Sequence, residues 1–178
     1  MKNVCRFLII AVIVLPLTTS AASARAVDDA KSYYSSAEEK FGSGDYQGAI
    51  ADDNKAIELD PSYAEAYTGR AAAKFRMGDK PGAIADYTRA IELDPKSAEA
   101  LNNRGTAKSD LGDKQGAIAD FTRAIELDPS FVPAYMNRAS EKLDMGDQQG
   151  VIADIVAAAK RGHEGAQQWL ISNGVSGW

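Results

Sequence analysis

The sequence predicts an all-α protein in which helical hairpins stack into a solenoid. The segment GAIADYTRAIELDP, residues 82–95, returns 34 residues later as GAIADFTRAIELDP, residues 116–129, with a single Tyr-to-Phe change. Four glycines and three prolines keep the same step: Gly44, Gly78, Gly112, Gly146, Pro61, Pro95 and Pro129. A fixed period of this size is typical of arrays whose units pack only against their neighbours. The repeat therefore predicts the architecture.

The first 26 residues are predicted to be a secretory signal peptide that precedes the array. Lys2 and Arg6 form a basic start, residues 7–17 form an apolar run, and Ala24-Arg25-Ala26 offers a small-residue cleavage pattern. Ala22-Ser23-Ala24 is a second candidate, and cleavage after Ala26 is favoured. An uncleaved membrane anchor is the alternative, but eleven apolar residues fall short of the roughly 20 that a spanning helix needs. We expect an exported bacterial protein, either periplasmic or secreted.

Charge limits the classes of partner for the processed chain. Residues 1–26 contain the only cysteine and three basic residues, so 17 Lys and Arg then face 25 Asp and Glu, a formal net charge of −8. This balance disfavours nucleic acid and anionic lipid surfaces, which bind through Lys and Arg. We expect a basic or neutral protein or peptide partner, no nucleic acid, and no stable membrane insertion after cleavage. Without cysteine, packing between units must hold the fold.

Each unit is predicted to contain two helices. After a short linker, residues 27–29, the units are 30–63, 64–97, 98–131 and 132–165. In the second unit, Tyr67, Ala71 and Phe75 recur at helical spacing before a break at Gly78-Asp79. The following segment places five side chains on one helix face: Ala83, Ile84, Tyr87, Ala90 and Ile91. Proline then ends this second helix, because it lacks the amide hydrogen that would continue it.

Small residues recur where the two helices of a unit must cross. They are Ala37, Ala71, Gly105 and Ala139 in the first helices, and Ala49, Ala83, Ala117 and Val151 in the second, with Ala56, Ala90, Ala124 and Ala158 at the end of the second helices. Larger residues, Tyr33, Tyr67, Leu101 and Tyr135, fill the gap near the start of the first helices. Together with the period, the Gly-Asp turn and the final proline, these residues resemble the tetratricopeptide repeat over residues 30–165. The resemblance implies an α-α superhelix, a right-handed solenoid, of four helical hairpins.

The outer units depart from this pattern. The first carries Asp53 where the second and third have Tyr87 and Phe121, and the fourth has His163 in place of its proline. Residues 163–173 are predicted to form a capping helix with Ala166, Trp169 and Leu170 on one side, because the last interface of a stack needs a cover. Trp169 is expected in the core rather than on a ligand. Residues 174–178 are expected to be a loose tail.

A charged pattern also repeats. Three arginines in the first helices and three aspartates in the second occur at constant positions: Arg70 with Asp86, Arg104 with Asp120, and Arg138 with Asp154. We expect each pair to link the two helices of its unit, because a guanidinium matches a carboxylate in a two-pronged contact. The alternative is an arginine groove for acidic ligands. In the first unit Ser36 stands opposite Asp52, so this pair is missing.

The residues do not suggest an enzyme. His163 is the only histidine, and no Gly-x-Ser-x-Gly turn accompanies it, so a positioned base for a serine nucleophile is absent from the sequence. The glycines occur singly rather than in phosphate-binding loops. A metal site would need further His or Cys ligands, which the processed chain lacks. We therefore expect no enzyme activity, no cofactor and no metal.

The family resemblance implies that a peptide or protein segment binds in the concave groove of the stack. Matching the family's groove positions to this sequence gives Tyr34, Glu65, Thr68, Arg76, Glu99, Asn102, Asn103, Thr106 and Asn137. Asn103 and Asn137 are the strongest candidates, since an amide offers both a donor and an acceptor to an extended backbone. Their alternative role is simply that of exposed polar residues. Glu65 and Glu99 favour a basic or neutral peptide over an acidic one.

Some members of the family bind a C-terminal carboxylate through a clamp of Lys, Asn and Arg. The matching places here hold Tyr34, Glu38, Gly69, Glu99 and Asn103, so the clamp is absent. The sequence therefore favours a non-enzymatic adaptor, or scaffold, that binds an extended segment in its groove. The alternative is a structural component that self-associates through its ends or convex face, for which exposure of Trp169 would be a sign.

Overall fold

The computed structural model describes the backbone of residues 17–178 and the side chains of residues 25–178. Within that range the chain forms nine α-helices and no strand. The helices are α1 (Leu17–Ser43), α2 (Tyr46–Leu59), α3 (Ala64–Arg76), α4 (Lys80–Leu93), α5 (Ala98–Asp110), α6 (Lys114–Leu127), α7 (Val132–Asp144), α8 (Gln148–Lys160) and α9 (Glu164–Ser172). The predicted all-α fold is confirmed. Lys2, Arg6 and the apolar run up to residue 16 lie outside the described residues.

Helices α1 to α8 pack as four hairpins of consecutive helices, and each hairpin contacts the next. We call α1, α3, α5 and α7 the A helices, and α2, α4, α6 and α8 the B helices. The backbones of neighbouring A helices also approach each other closely, whereas those of successive B helices do not along the described chain. The stack therefore curves, and the A helices form its concave side.

The tight turn inside each hairpin depends on the Gly-Asp pair. Gly78 has a φ of +87°, a left-handed conformation that residues with a Cβ rarely adopt. Asp79 follows, and its carboxylate accepts the amide hydrogen of Gly82 at 3.0 Å, which caps the first turn of α4. The same geometry recurs at the other three hairpins. This short connection keeps the A and B helices antiparallel and in contact.

The predicted small residues lie in the core and allow the helix axes to approach. All of those described above are buried, with an exposed fraction of 4% or less for each alanine and for Val151. Gly105 shows the tightest fit, because a Cβ there would lie 2.6 Å from the ring of Phe121. Tyr87 and Phe121 fill the equivalent B-helix position and are 3% and 1% exposed. Stability thus comes from local packing that is repeated from one hairpin to the next.

The N-terminal end differs from the prediction in two ways. Helix α1 continues through the proposed cleavage point after Ala26 and through residues 27–29, which were expected to be a linker. Among the described side chains, burial begins only at Ala30. Tyr33 is 41% exposed, although Leu101 and Tyr135 at equivalent places are buried. Tyr33 lies on α1, the first A helix of the described stack, so no hairpin within residues 17–178 covers this side of its ring.

The C-terminal end is closed by α9, which begins and ends within one residue of the predicted cap. His163 caps this helix, since its Nδ1 accepts the amide hydrogen of Ala166 at 3.0 Å. Leu170 is fully buried, but Trp169 remains 37% exposed, so the expected core position for its side chain is wrong. The tail is not loose either, because Val175 and Trp178 pack against the last hydrophobic cluster. This cluster joins α7, α8 and α9.

Candidate functional site

A cavity of about 240 Å³ opens on the concave side of the stack. Three consecutive A helices form its walls, and α2 contributes one residue at depth. The lining residues are Tyr34, Ala37, Glu38, Phe41 and Gly42 from α1, Asp53 from α2, Thr68, Gly69 and Ala72 from α3, and Glu99 and Asn103 from α5. The cavity therefore spans the first three hairpins, and its shape depends on their stacking.

Its electrostatic character is acidic. Three carboxyl groups, those of Glu38, Asp53 and Glu99, line the cavity, and no lysine or arginine is among its lining residues. The Tyr34 hydroxyl donates to Glu38 Oε1 at 3.2 Å. Burial, and then the nearby charge of Glu38, raises the pKa of Tyr34, so this hydroxyl stays protonated and remains a donor. A cation or a hydrogen-bond donor suits these walls better than an anion does.

Asp53 is the most unusual residue of the site. It is only 1% exposed, and its Oδ1 has no hydrogen-bond partner among the described residues. Burial raises the pKa of this carboxyl to about 7; the charge of Arg70 opposes the rise, and the charges of Asp52, Glu38 and Asp86 add to it. The equivalent residues Tyr87 and Phe121 are buried aromatic side chains without a carboxyl group. Packing alone therefore does not explain a carboxyl group here.

The structure divides the predicted groove residues into two groups. Tyr34, Thr68, Glu99 and Asn103 line the cavity. Glu65, Arg76, Asn102, Thr106 and Asn137 do not. All five positions that were compared with the carboxylate clamp, namely Tyr34, Glu38, Gly69, Glu99 and Asn103, meet around this one cavity.

Three asparagines make a hydrogen-bonded row rather than a set of free amides. Asn137 Nδ2 donates to Asn102 Oδ1 at 2.9 Å, and Asn102 Nδ2 donates to Asn103 Oδ1 at 3.2 Å. Asn102 is only 6% exposed, so its predicted place on the open groove is wrong. It is buried because its amide bridges α5 and α7. Asn103 keeps its own amide hydrogens available at the cavity, since only its oxygen is used in this row.

The remaining predicted groove residues have local roles. Arg76 lies over the ring of Tyr46, with 5.4 Å between the guanidinium carbon and the ring centroid. Thr106 donates its hydroxyl hydrogen to the carbonyl of Asn102 at 3.1 Å. Glu65 is exposed. None of these three side chains reaches the cavity.

The arginines and aspartates form a ladder through the stack. Arg104 donates from Nε and Nη2 to the two carboxylate oxygens of Asp120, at 2.9 and 2.7 Å. Arg70 with Asp86, and Arg138 with Asp154, repeat this two-pronged contact at 2.6–2.9 Å. The aspartate side chains are 4–8% exposed and the arginine side chains 15–17%. Because each arginine is held by its own aspartate inside the stack, the arginines do not form an open surface for acidic ligands.

Each rung contains two partners that the sequence analysis did not include. Lys74, Lys108 and Lys142 bind the same aspartates at 2.7–2.8 Å. In the first unit Lys40, with Ser36, binds Asp52, so this aspartate has a cation although it lacks an arginine. Burial acts to raise the pKa of Asp52, but the hydrogen bonds of Lys40 and Ser36 and the charge of Lys40 together outweigh it, so the pKa is lowered. The sequence contains a pattern that could have identified these lysines, because all four recur with the 34-residue period.

The second missed partner connects each hairpin to the one before it. Arg104 Nη1 donates to Thr88 Oγ1 at 3.2 Å, and Arg138 Nη1 donates to Thr122 Oγ1 at 2.9 Å. Arg70 reaches Asn54 Oδ1 at 2.7 Å in the same way. Each guanidinium therefore joins three helices of two successive hairpins. The ladder stabilises the stacking that shapes the cavity.

Two negative findings apply to the described part of the chain. No helix there is long and apolar enough to cross a bilayer. Over the same residues, no group of three His, Cys, Asp or Glu side chains is arranged to hold a metal ion.

Comparison with solved structures places the fold among tetratricopeptide repeat domains. The first TPR domain of Spaghetti (RPAP3), bound to the HSP90 peptide SRMEEVD, is 26% identical, with a TM-score of 0.66, and the match covers 67% of this chain and 95% of that domain. The second TPR domain of human RPAP3, in complex with the HSP70 peptide SGPTIEEVD, is 28% identical, with a TM-score of 0.62 and coverage of 67% and 98%. MamA shares the fold at 23% identity, with a TM-score of 0.72 and coverage of 84% and 86%.

Sequence models of families agree with the structural match. The "Tetratricopeptide repeat" model matches residues 98–131, and the "TPR repeat" model matches residues 38–78 and 73–112. Together these matches span residues 38–131, more than half of the 178-residue chain. Among curated proteins there is no match. The hairpins, their 34-residue period and these matches show that the chain belongs to the tetratricopeptide repeat family.

Proposed function

We propose that this protein is a non-enzymatic adaptor that binds an extended peptide or protein segment in the groove formed by its A helices. The observation that carries the proposal is the concave cavity, because three A helices supply most of its walls. Its lining combines apolar surface, from Phe41 and Ala72, with polar groups such as Asn103. Such a mixture is usual in sites that bind side chains of a ligand.

The comparisons support binding of a peptide but not the same peptide. The two RPAP3 domains hold chaperone-derived peptides that end in Glu-Glu-Val-Asp. In its own concave cavity this chain presents Glu38, Asp53 and Glu99. Carboxylates on both sides would repel each other, so the proposed partner is basic or neutral. The same acidic balance argues against nucleic acid as a partner.

We also infer that the four hairpins are four repeats, 30–63, 64–97, 98–131 and 132–165, and that residues 1–26 direct export. Arg25 and residues 27–29 are exposed, so both sides of the proposed cleavage point are open to a protease. The proposed location is the periplasm or the medium. Intact-mass measurement of the protein recovered after expression in a bacterium tests this: loss of residues 1–26 supports export, and an uncut chain in the cytosol contradicts it.

Photo-crosslinking tests groove binding directly. We would place a photoreactive amino acid at Thr68, which lines the cavity, and compare capture by the otherwise unchanged chain with capture by an Ala72→Trp variant. The indole fills the cavity, so adducts are expected to disappear while helicity is retained. An Ala51→Trp variant is the matched control, because Ala51 is exposed and lies on α2 outside the cavity. Equal adducts in all three proteins would contradict binding in the groove.

Self-assembly through the C-terminal end is a second candidate function. A second cavity, of about 320 Å³, is lined mainly by apolar side chains of α7, α8, α9 and the tail. Leu143, Ile152 and Trp169 in its lining are 60%, 37% and 37% exposed. Exposed apolar surface of this kind favours association. Light scattering of the protein and of a Trp169→Gln variant tests the idea: a concentration-dependent mass that the substitution abolishes supports assembly, and a constant monomer mass contradicts it.

A further inference from the structure

The floor of the concave cavity is formed by Asp53, a residue whose presence there is not explained by the packing of the fold. Asp53 lies there with 1% of its surface exposed, and its Oδ1 has no partner among residues 25–178. A buried carboxyl group without a partner is costly, while the apolar side chains of the equivalent positions are not. The position therefore suits a group that receives its partner from outside the chain.

Nearby cations are already engaged. Arg70 is the cation whose charge acts on Asp53, but its guanidinium donates to Asp86 through Nε and Nη2 and to Asn54 through Nη1. Lys74 is bound to Asp86 as well, at 2.7 Å. Neither side chain donates a hydrogen bond to Asp53, and the residues that line the cavity include no base.

A missing side chain opens the space in front of Asp53. A Cβ placed on Gly69 would lie 3.0 Å from Asp53 Oδ2 and 3.3 Å from Oδ1. The corresponding residues of the next two repeats are Asn103 and Asn137, whose side chains are larger. Gly69 thus keeps the space next to the carboxyl group free of any side chain from α3.

The walls above the floor fit an alkyl chain that ends in a cation. Tyr34, Ala37, Phe41 and Ala72 offer apolar surface to the cavity that Asp53 also lines. Glu38 and Glu99 add negative charge to the lining. Lysine has this construction, with an apolar stem and a compact ammonium group that carries three donors. Arginine is less suited, since its planar guanidinium is wider than an ammonium group and the space beside Asp53 is only that left by the missing side chain of Gly69.

We propose that this cavity is a specificity pocket for one lysine side chain of the bound segment, whose ammonium group donates to Asp53. The proposal rests on the proposed function, because the lysine is presented by a segment lying in the groove. It specifies the chemistry of that segment: a lysine at one fixed place, with its stem between α1 and α3. Asn103 beside it remains able to donate to the segment's backbone.

The protonation of Asp53 gives the pocket a pH dependence. Burial raises the pKa of Asp53 to about 7, so part of the empty protein carries a neutral acid at neutral pH. The ammonium group favours the ionised carboxylate, so binding is expected to strengthen as the pH rises from about 6 to about 8. The other charged or titratable groups around Asp53 are Tyr34 and Glu38 of α1, Asp52 of α2, Tyr63, Arg70 of α3, Asp86 of α4 and Glu99 of α5.

The test is a positional-scanning library of short acetylated and amidated peptides, selected on the full chain. With the wild-type protein we expect lysine to be enriched at one place of the bound peptides over norleucine, arginine and glutamate. A charge-assisted hydrogen bond in such a pocket corresponds to a preference of about 10- to 100-fold. Asp53→Asn is expected to abolish this preference, whereas Glu58→Gln, which removes an exposed carboxylate of the same helix outside the cavity, keeps it.

Gly69→Ala provides a second variant that retains the carboxyl group. Its added methyl group blocks the approach to Asp53, so the lysine preference should fall while the other peptide positions remain unchanged. Bound peptides with no selection at any place would overturn the lysine pocket and leave groove binding intact. Enrichment of arginine instead would overturn the assignment of lysine. If the wild-type protein retains no peptide at all, both the pocket and the proposed function fail.

Discussion

Replacing Asp53 by asparagine should change how the stability of the protein depends on pH. Burial is the largest cause that raises the pKa of this carboxyl from 3.8 to about 7. The native state therefore holds a proton that the unfolded chain releases above about pH 4. The resulting stability is fully present below the unfolded pKa and is lost as the pH rises through about 7. Asparagine has nearly the same shape and cannot titrate.

The size of the effect follows from this pKa difference. Between about pH 5 and pH 8, the free energy of unfolding of the wild type should fall by about 2–3 kcal/mol relative to the Asp53→Asn variant. For a domain of this size the loss corresponds to about 5–10 °C in Tm. The comparison between the two proteins cancels the contributions of the other ionisable groups, which they share.

Urea unfolding followed by circular dichroism at a series of pH values measures this difference. Glu65→Gln is the control, because this carboxylate is exposed and its removal should leave the pH profile close to that of the wild type. A difference between wild type and Asp53→Asn that stays constant from pH 5 to pH 8 would refute the reasoning. It would mean that Asp53 finds a partner or water in solution that offsets its burial.

Three further predictions concern the stack itself. Arg104→Leu should lower the free energy of unfolding by about 2–4 kcal/mol in urea titrations, since it leaves the buried carboxylate of Asp120 without its two-pronged partner; an unchanged midpoint would show that the ladder is not stabilising. Gly78→Ala should lower the free energy of unfolding by about 1 kcal/mol because of the positive φ. Gly42→Ala, in a helix with open space around it, should be neutral or stabilising, and equal effects of the two substitutions would contradict this prediction. Gly105→Ala should destabilise by about 1–3 kcal/mol through its clash with a buried ring, and a stable variant with an unshifted near-ultraviolet spectrum would disprove the tight contact.

Much of the fold could be predicted because each turn and helix end of the repeat is determined by residues that are close together in the sequence. Gly78-Asp79 determines the turn, and proline after Asp94 ends the helix, whatever the rest of the chain does. The small residues were correctly placed in the core for the same reason. The ends were harder, since the exposure of Tyr33 and Trp169 depends on their place in the first and last helices of the described stack rather than on their residue type.

The candidate site was predictable only in part. Tyr34, Thr68, Glu99 and Asn103 line the cavity because the position of a residue within the repeat determines which side of its helix the side chain occupies. Asn102 was misjudged, since a shift of one residue turns a side chain by about 100° around the helix, and a hydrogen bond to α7 holds Asn102 in the buried position. Asp53 was noted as a departure from the repeat pattern, but its access to the groove depends on Gly69 in a different helix.

Each arginine of the ladder also donates a hydrogen bond to the preceding hairpin, and this contact determines how many hairpins the ladder can join. Arg70, Arg104 and Arg138 each require an oxygen at one B-helix position of the preceding hairpin, and Asn54, Thr88 and Thr122 supply it. The next residue in this series is Val156, which has no hydrogen-bonding side chain and packs into the last cluster instead. The first hairpin lacks the arginine, and the last lacks the acceptor. The array therefore has chemically distinct ends: duplication of an inner unit preserves every rung, whereas a unit added after the fourth would find no oxygen to hold it.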